Sequence, residues 1–302
     1  MALPSLSALA PEDVLLDHSR RTTFRLGFDR VVGWVLPLLF LVAILPILDL
    51  VYFVAARGAP TLTWSVLTST NPYQADALGV PIIGTFELML VATVLAVLLG
   101  LFGGVATAEL LSENVAGAVR MSANMLAGTP SVIVGYFGFF VFVRYFGWGL
   151  SFGAGVLTLA FFMTPYIFRT ADLAFSSVPR PIREAALGSG AGPAQYITRV
   201  ALPIAFPQIL TGVFLSMAIG VGETAPIWLT TTPGLLAPHT WTSPVTFLPT
   251  LIWENYNQPT GSPYIDLAWQ AAFLLIVVVV ALNIVVRLFA ARYQKRLEGL
   301  YQ

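Results

Sequence analysis

The chain has 302 residues, of which 57% are hydrophobic and only 10% charged, with no net charge and a mean hydropathy of +0.81. A soluble domain carries roughly 25% charged residues, so the solvent of this chain is largely lipid. The neutral balance gives no sign of a nucleic-acid partner, and the absence of cysteine excludes disulfides and thiolate chemistry.

Six windows are long and apolar enough to cross a bilayer, which takes about 20 residues. They cover about 31–55, 83–111, 126–147, 150–174, 204–230 and 268–291. The first is too long for a signal peptide and is followed by further spans, so it is expected to persist in the mature chain. Residues 1–30 then form a polar cytoplasmic segment, and 31–302 a transmembrane domain.

Basic residues orient the spans. Arg20, Arg21, Arg25 and Arg30 precede the first span, and Arg120 lies between the second and third. Arg169, Arg180, Arg183 and Arg199 flank or occupy the connection between the fourth and fifth. Arg287, Arg292, Lys295 and Arg296 lie at the C-terminal end, Arg287 inside the last turns of the sixth window. Of the 15 basic residues only Arg57 and Arg144 fall on the other side, and the long connection 231–267 has none. Both termini are therefore expected inside, with 231–267 as an outer loop. Its aromatics, Trp241, Trp253, Tyr256 and Tyr264, suit either an interfacial belt or contact with an external protein.

Charges near the middle of a span cost about 2.5–3.5 kcal/mol each and should face a bundle interior or wet cavity. Glu87, Arg144 and Glu223 fall in the outer halves of their spans. Arg169 and Asp172 lie one turn apart near the inner end of the fourth, close enough to pair on one face. That pair reads either as a snorkelling ion pair or as an anion contact at an inner gate. Glu223, set among Gly220, Gly222 and Pro226, reads either as a helix-locking hydrogen-bond acceptor or as an organiser of a gate together with Arg144. His18 and His239 lack ligand-like neighbours, so no metal site is expected. No paired acids suggest an integral-membrane enzyme. Lys295, the only lysine, is followed by Arg296, so no phosphate-binding Gly-x-x-x-x-Gly-Lys-Ser/Thr loop is present.

The inner connection, about 176–203, is the most informative stretch. Pro179 and Pro181 suit a helix start, and Glu184 is expected in its first turn, where the dipole favours a negative charge. Gly188, Gly190 and Gly192 then break the chain, and Pro193 starts a second helix with Tyr196, Ile197, Val200 and Ile204 as an apolar stripe. Spacing alone fits an amphipathic linker resting on lipid. The pattern Glu184-Ala185-Ala186, then Leu187, Gly190, Val200 and Leu202-Pro203, resembles the EAA loop of ABC-importer permeases, with Val200 where the family has isoleucine. The resemblance implies a six-span, all-α, type I importer permease of the MetI-like fold. It implies that Glu184, Ala185, Ala186, Leu187, Gly190, Leu202 and Pro203 form the contact with a separate ATPase, which holds ATP and Mg; this chain would bind no cofactor.

Three further stretches are similar to phosphate permeases: 84–113, "LAGTPSVIVGYFGF" (126–139) and "PYIFRTADLAFSSVPRPIREAA" (165–186). "GETAP" (222–226) resembles the PstA type and brings Glu223 and Thr224 forward as gate candidates, beside Arg169, Asp172, Arg144 and Glu87. The family often has an arginine where Ile219 stands, so no role is carried over to that position. The resemblance implies a PstC-type partner permease, a dimer of ATPase subunits, an extracytoplasmic phosphate-binding protein and a place in a bacterial or archaeal inner membrane. A sulfate or molybdate permease and a membrane component of phosphate-state signalling are the alternatives.

Overall fold

A computed structural model describes residues 11–71, 77–259 and 261–298. Residues 1–10, the first third of the expected cytoplasmic segment, lie outside the described residues. All regular structure among the described residues is helical. Helix α1, Pro11–Gly58, runs through residue 30 without a break and contains Pro37 and Pro46. The chain divides into two units, one ending at Phe53 and the other beginning at Val54.

The core of the second unit is built from four long helices. These are α3 (Gly79–Val105, continued by a π-helical turn Ala106–Leu110), α6 (Phe152–Ser176), α9 (Leu202–Val221) and α12 (Pro263–Glu298). Short α2 (Trp64–Thr68) precedes α3. Five segments of the chain, including the stretch 31–58 of α1, are long and apolar enough to cross a membrane, and a bent pair makes a sixth.

That pair corrects the third expected span. Residues 126–147 are not one helix: α4 (Glu113–Ala127) and α5 (Ser131–Gly138, continued by π-helical Phe139–Tyr145) meet at 99°. The cause lies in Gly128-Thr129-Pro130. Gly128 caps α4, and Pro130, with ψ of 134°, sits outside the helical region before α5. The fifth span is likewise broken. Helix α9 ends at Val221, and α10 (Ala225–Thr230) follows after Gly222-Glu223-Thr224.

Close approach of α3 to α6 sets the packing. A Cβ on Gly104 would lie 2.6 Å from Ala171 Cβ, 2.8 Å from the Asp172 nitrogen and 2.9 Å from the Phe168 carbonyl oxygen. One on Gly100 would sit 2.9 Å from Ile167 and from the Phe168 nitrogen. Four-residue spacing puts both glycines on one face, the arrangement that lets helices touch backbone to backbone in lipid. Above this crossing, Leu88, Met89, Val156, Leu159 and Met163 form the larger core, with Ile219 packed against it. Below it, Ala171, Phe175, Val178, Tyr196, Ala201 and Ala205 form a second, smaller one.

The connection 231–267 is part of the fold rather than a free outer loop. Val245, Phe247 and Leu248 are fully buried. The Leu248 amide donates to Thr85 Oγ1 at 2.9 Å, the Phe152 amide to the Ser243 carbonyl at 2.8 Å, and the Gly153 amide to the Trp241 carbonyl at 2.8 Å. Helix α11, Leu248–Tyr256, then packs on α12. Trp241, Trp253, Tyr256 and Tyr264 remain exposed, as an interfacial belt requires.

The crossing makes a testable statement. Gly104→Ala is expected to lower stability by about 1–3 kcal/mol through overpacking. Gly117→Ala, in α4 with nothing within 4 Å of its Cβ, is expected to leave stability unchanged or to raise it by up to about 1 kcal/mol. Thermal melts of the two variants in detergent separate these outcomes.

Candidate functional site

The connection between α6 and α9 forms a helix, a turn and a second helix, as the glycines and prolines dictate. Helix α7, Arg180–Gly188, starts after Pro179 with Pro181 in its first turn. Its first turn has no acid. Glu184 falls in the second turn, which corrects the expectation that the dipole stabilises it there, because the helix begins one residue after Pro179. Glu184, Ala185 and Leu187 are exposed, whereas Ala186 turns inward and packs on the smaller core.

Gly190 adopts φ of +90°, a left-handed conformation suited to glycine. The Gly190 and Ala191 amides donate back to the Leu187 and Ala186 carbonyls at 3.0 and 3.2 Å, closing the end of α7. Helix α8 (Pro193–Tyr196), a π-helical turn (Ile197–Ala201) and α9 then run on as one apolar segment, Pro193–Val221. Pro203 lies inside this run, in the first turn of α9, and is exposed; Leu202 is half-buried. The π turn shifts the predicted stripe. Tyr196, Ala201, Ala205 and Ile209 are buried, while Ile197, Val200 and Ile204 only flank them.

This segment is pinned by a contact not expected from the sequence. Arg183 Nη2 lies 3.2 Å from Glu109 Oε2, and the Glu109 side chain is only 4% exposed. The Arg183 guanidinium stands 5.7 Å from the centroid of the Tyr196 ring, and the Tyr196 side chain lies close to the Glu109 carboxylate. Glu109 sits in the π turn that ends α3. The available signal was an acid at the inner end of an apolar span, which demands a partner.

A second cluster lies along the inner part of α6. Asp172 pairs with Arg120, not with Arg169: Nε and Nη2 of Arg120 each donate to one carboxylate oxygen at 2.8 Å. Residues 169 and 172 are one turn apart as expected, but α4 presents a planar fork to Asp172 that its own-helix neighbour does not match. Arg169 is exposed. All three line a cleft of about 300 Å³ with Asn124, Leu173 and Ser176. The Arg120–Asp172 pair is neutral as a unit, so Arg169 contributes the cation of this cleft.

In the outer half, Glu223 occupies the break between α9 and α10, and its carboxyl group lies near the Ser131 side chain at the start of α5. The expected pairing with Arg144 is not formed. Arg144 lies 13 residues beyond Ser131 near the far end of the same helical run, about 20 Å away by helical rise, and is exposed. Glu223 thus reads as a link between neighbouring broken helices. Thr224 beside it lines an apolar cleft of about 480 Å³ with Tyr136, Trp228 and Trp253. Glu87 lines a separate cleft with His239 and Trp241. No cluster of three metal-ligating side chains occurs among the described residues.

The Arg120–Asp172 pair has a measurable consequence. Arg120→Ala leaves a nearly buried carboxylate without its donor and is expected to cost about 1–3 kcal/mol. Arg120→Met combined with Asp172→Leu should recover most of the loss. Arg169→Gln should leave the melting temperature unchanged. Thermal unfolding of these variants beside the parent protein in detergent checks this.

Residues 96–299 match the family model described as binding-protein-dependent transport system inner membrane component. The phosphate transport system permease protein PstA 2 of Mycobacterium bovis is 34% identical over 253 residues, covering 82% of each chain. The probable phosphate transport system permease PstA of Methanocaldococcus jannaschii is 29% identical and covers 89% of this chain and 95% of its own. Among solved structures, a bacterial alginate ABC transporter in complex with a pentasaccharide-bound periplasmic protein superposes with a TM-score of 0.61 at 15% identity, over 90% of this chain and 96% of its own. An inward-facing MetNI methionine ABC transporter superposes with a TM-score of 0.56 at 17% identity, over 71% and 95%. These likenesses show the fold of ABC-importer permeases. The chain is a multi-pass membrane protein and belongs to the family of binding-protein-dependent transport system inner membrane components, among relatives that are phosphate transport system permeases.

Proposed function

We propose that this chain is one membrane subunit of an ATP-driven phosphate importer in a bacterial or archaeal inner membrane. It forms half of the translocation pathway beside a PstC-type permease. A dimer of separate ATPase subunits binds ATP and Mg, and an extracytoplasmic protein delivers phosphate. This chain supplies no catalytic group. The observation that carries the reading is α7. Its outward side presents Glu184, Ala185 and Leu187, and its inward Ala186 rests on the core that also holds α6 and α9. A small-residue helix exposed at the cytoplasmic end fits an apolar groove on a partner, with Glu184 free to pair with a basic group.

In this mechanism closure of the ATPase dimer moves α7. The neighbouring helices follow, and the pathway switches between inward- and outward-facing states, two conformations whose balance nucleotide binding shifts. The broken spans at Gly128–Pro130 and Gly222–Thr224 supply the gate region, since irregular backbone at membrane depth is tolerated where it lines a cavity or is buried in protein. Glu223 organises that region by holding α5 to the α9–α10 break, with Thr224 facing the adjoining cleft. Glu87 and Arg144 stand apart from it at the outer side. At the inner mouth, Arg169 is the anion contact, and Asp172 is held by Arg120. Ile219 packs into the core and supplies no charge, so any cation at that depth comes from the partner permease.

Two outcomes test the reading. Glu184→Arg is expected to abolish phosphate uptake and weaken retention of the ATPase while insertion is unchanged; normal uptake would overturn it. In the reconstituted complex, binding-protein-dependent ATP hydrolysis should rise with phosphate and should not rise with sulfate. Equal stimulation by sulfate would reassign the substrate to another oxyanion.

A further inference from the structure

We infer that Glu109 is the positioning residue that carries motion of α7 into α3, the helix at the centre of the bundle. This rests on the reading of α7 as the ATPase contact.

Glu109 lies on the π-helical end of α3, whereas both of its side-chain partners, Arg183 and Tyr196, belong to the α7–α8 connection. The carboxylate is almost completely buried, and Arg183, itself 44% exposed, is its ion-pair partner. A buried carboxylate separated from its cation is strongly disfavoured. Movement of α7 away from α3 is therefore resisted by the full cost of stranding that charge. Surface ion pairs, which water replaces readily, exert no such hold. The Arg183 guanidinium also lies against the Tyr196 ring, so one side chain joins three segments.

Val105 and Ala108 at the end of α3 and Ala186 of α7 all lie at the rim of the smaller core. Apolar contact is non-directional, so these residues do not by themselves tie α7 to α3. Both backbones at the junction are π-helical, Ala106–Leu110 and Ile197–Ala201. Such turns recur at functional sites in helices. Glu109 thus provides a directional tie at a point where the helices themselves are irregular. From there α3 leads directly to its contact with α6 at Gly104 and Gly100.

The test uses the complete complex in proteoliposomes, reading phosphate taken up per ATP hydrolysed and the amount of ATPase co-purifying. Glu109→Gln and Arg183→Gln are each expected to lower the uptake-to-hydrolysis ratio about tenfold with the ATPase still bound. The double variant should be no worse than either single one, because both remove the same tie. A ratio within twofold of the parent protein in Arg183→Gln overturns the proposal, and so do additive losses in the double variant. Should Glu109→Gln fail to insert, Arg183→Gln, a half-exposed change, decides the matter alone. If the unsubstituted chain does not retain the ATPase at all, the underlying reading of α7 fails instead.

Discussion

The contact of α3 with α6 through Gly100 and Gly104 is the constraint on which the rest of the molecule depends. Lipid offers little hydrophobic drive for helix association, so packing has to come from close van der Waals contact. With no side chain between them, the two helices approach until α3 meets the backbone at Phe168 and Asp172. That approach fixes the depth of the two clusters at the inner end. Asp172 is held beside the crossing with its carboxylate toward α4, and α3 continues past it to place Glu109 under the α7–α8 connection. The same economy of volume recurs elsewhere. Gly212 faces Thr170, Gly220 faces Met163, and Gly135 faces Pro226, so α9 and α5 are also seated against their neighbours where one residue has no side chain.

Polar stitching does comparable work at the outer end. Thr85, Ser243 and Thr246 are buried, and each contributes to a hydrogen bond that joins the 231–248 segment to itself or to the spans. Buried polar groups persist only when satisfied, and here the satisfied groups are those that bring an irregular segment down onto the bundle. The exposed aromatics of that region then stand on a fixed platform rather than on a free loop.

Most of the spans and the turn at Gly190 were legible in the sequence because each follows from local chemistry. Apolar run length and glycine or proline at a chain reversal both act within a few residues. Gly128-Thr129-Pro130 carries an equally local signal, which the apolar residues on both sides outweigh in a simple reading of hydropathy. The true partner of Asp172 was not legible. Arg120 is 52 positions away, while Arg169 offered an obvious partner one turn along the same helix. The π turns left no trace either, since an extra residue per turn changes hydrogen bonding without changing composition. One such turn moved burial from Val200 to Ala201. Arg183 was legible as a topological charge, but its engagement with Glu109 required knowing that α3 ends beneath it.

The unbroken run from Pro193 to Val221 has a mechanical meaning. At 1.5 Å per residue its 29 residues measure about 43 Å, more than the hydrocarbon thickness. One end adjoins the turn at Gly190 and the other stops at the gap before α10. A rod of that length pivoting near one end by about 5° displaces the other by about 4 Å, by the same geometry. A tilt too small to disturb the packing near Gly190 would thus shift the far end, beside Glu223, by roughly a side chain's width. The interruption at Gly222 separates the tip of this lever from α10, so a tilt would reach the Gly222–Thr224 gap before it reached the helix beyond.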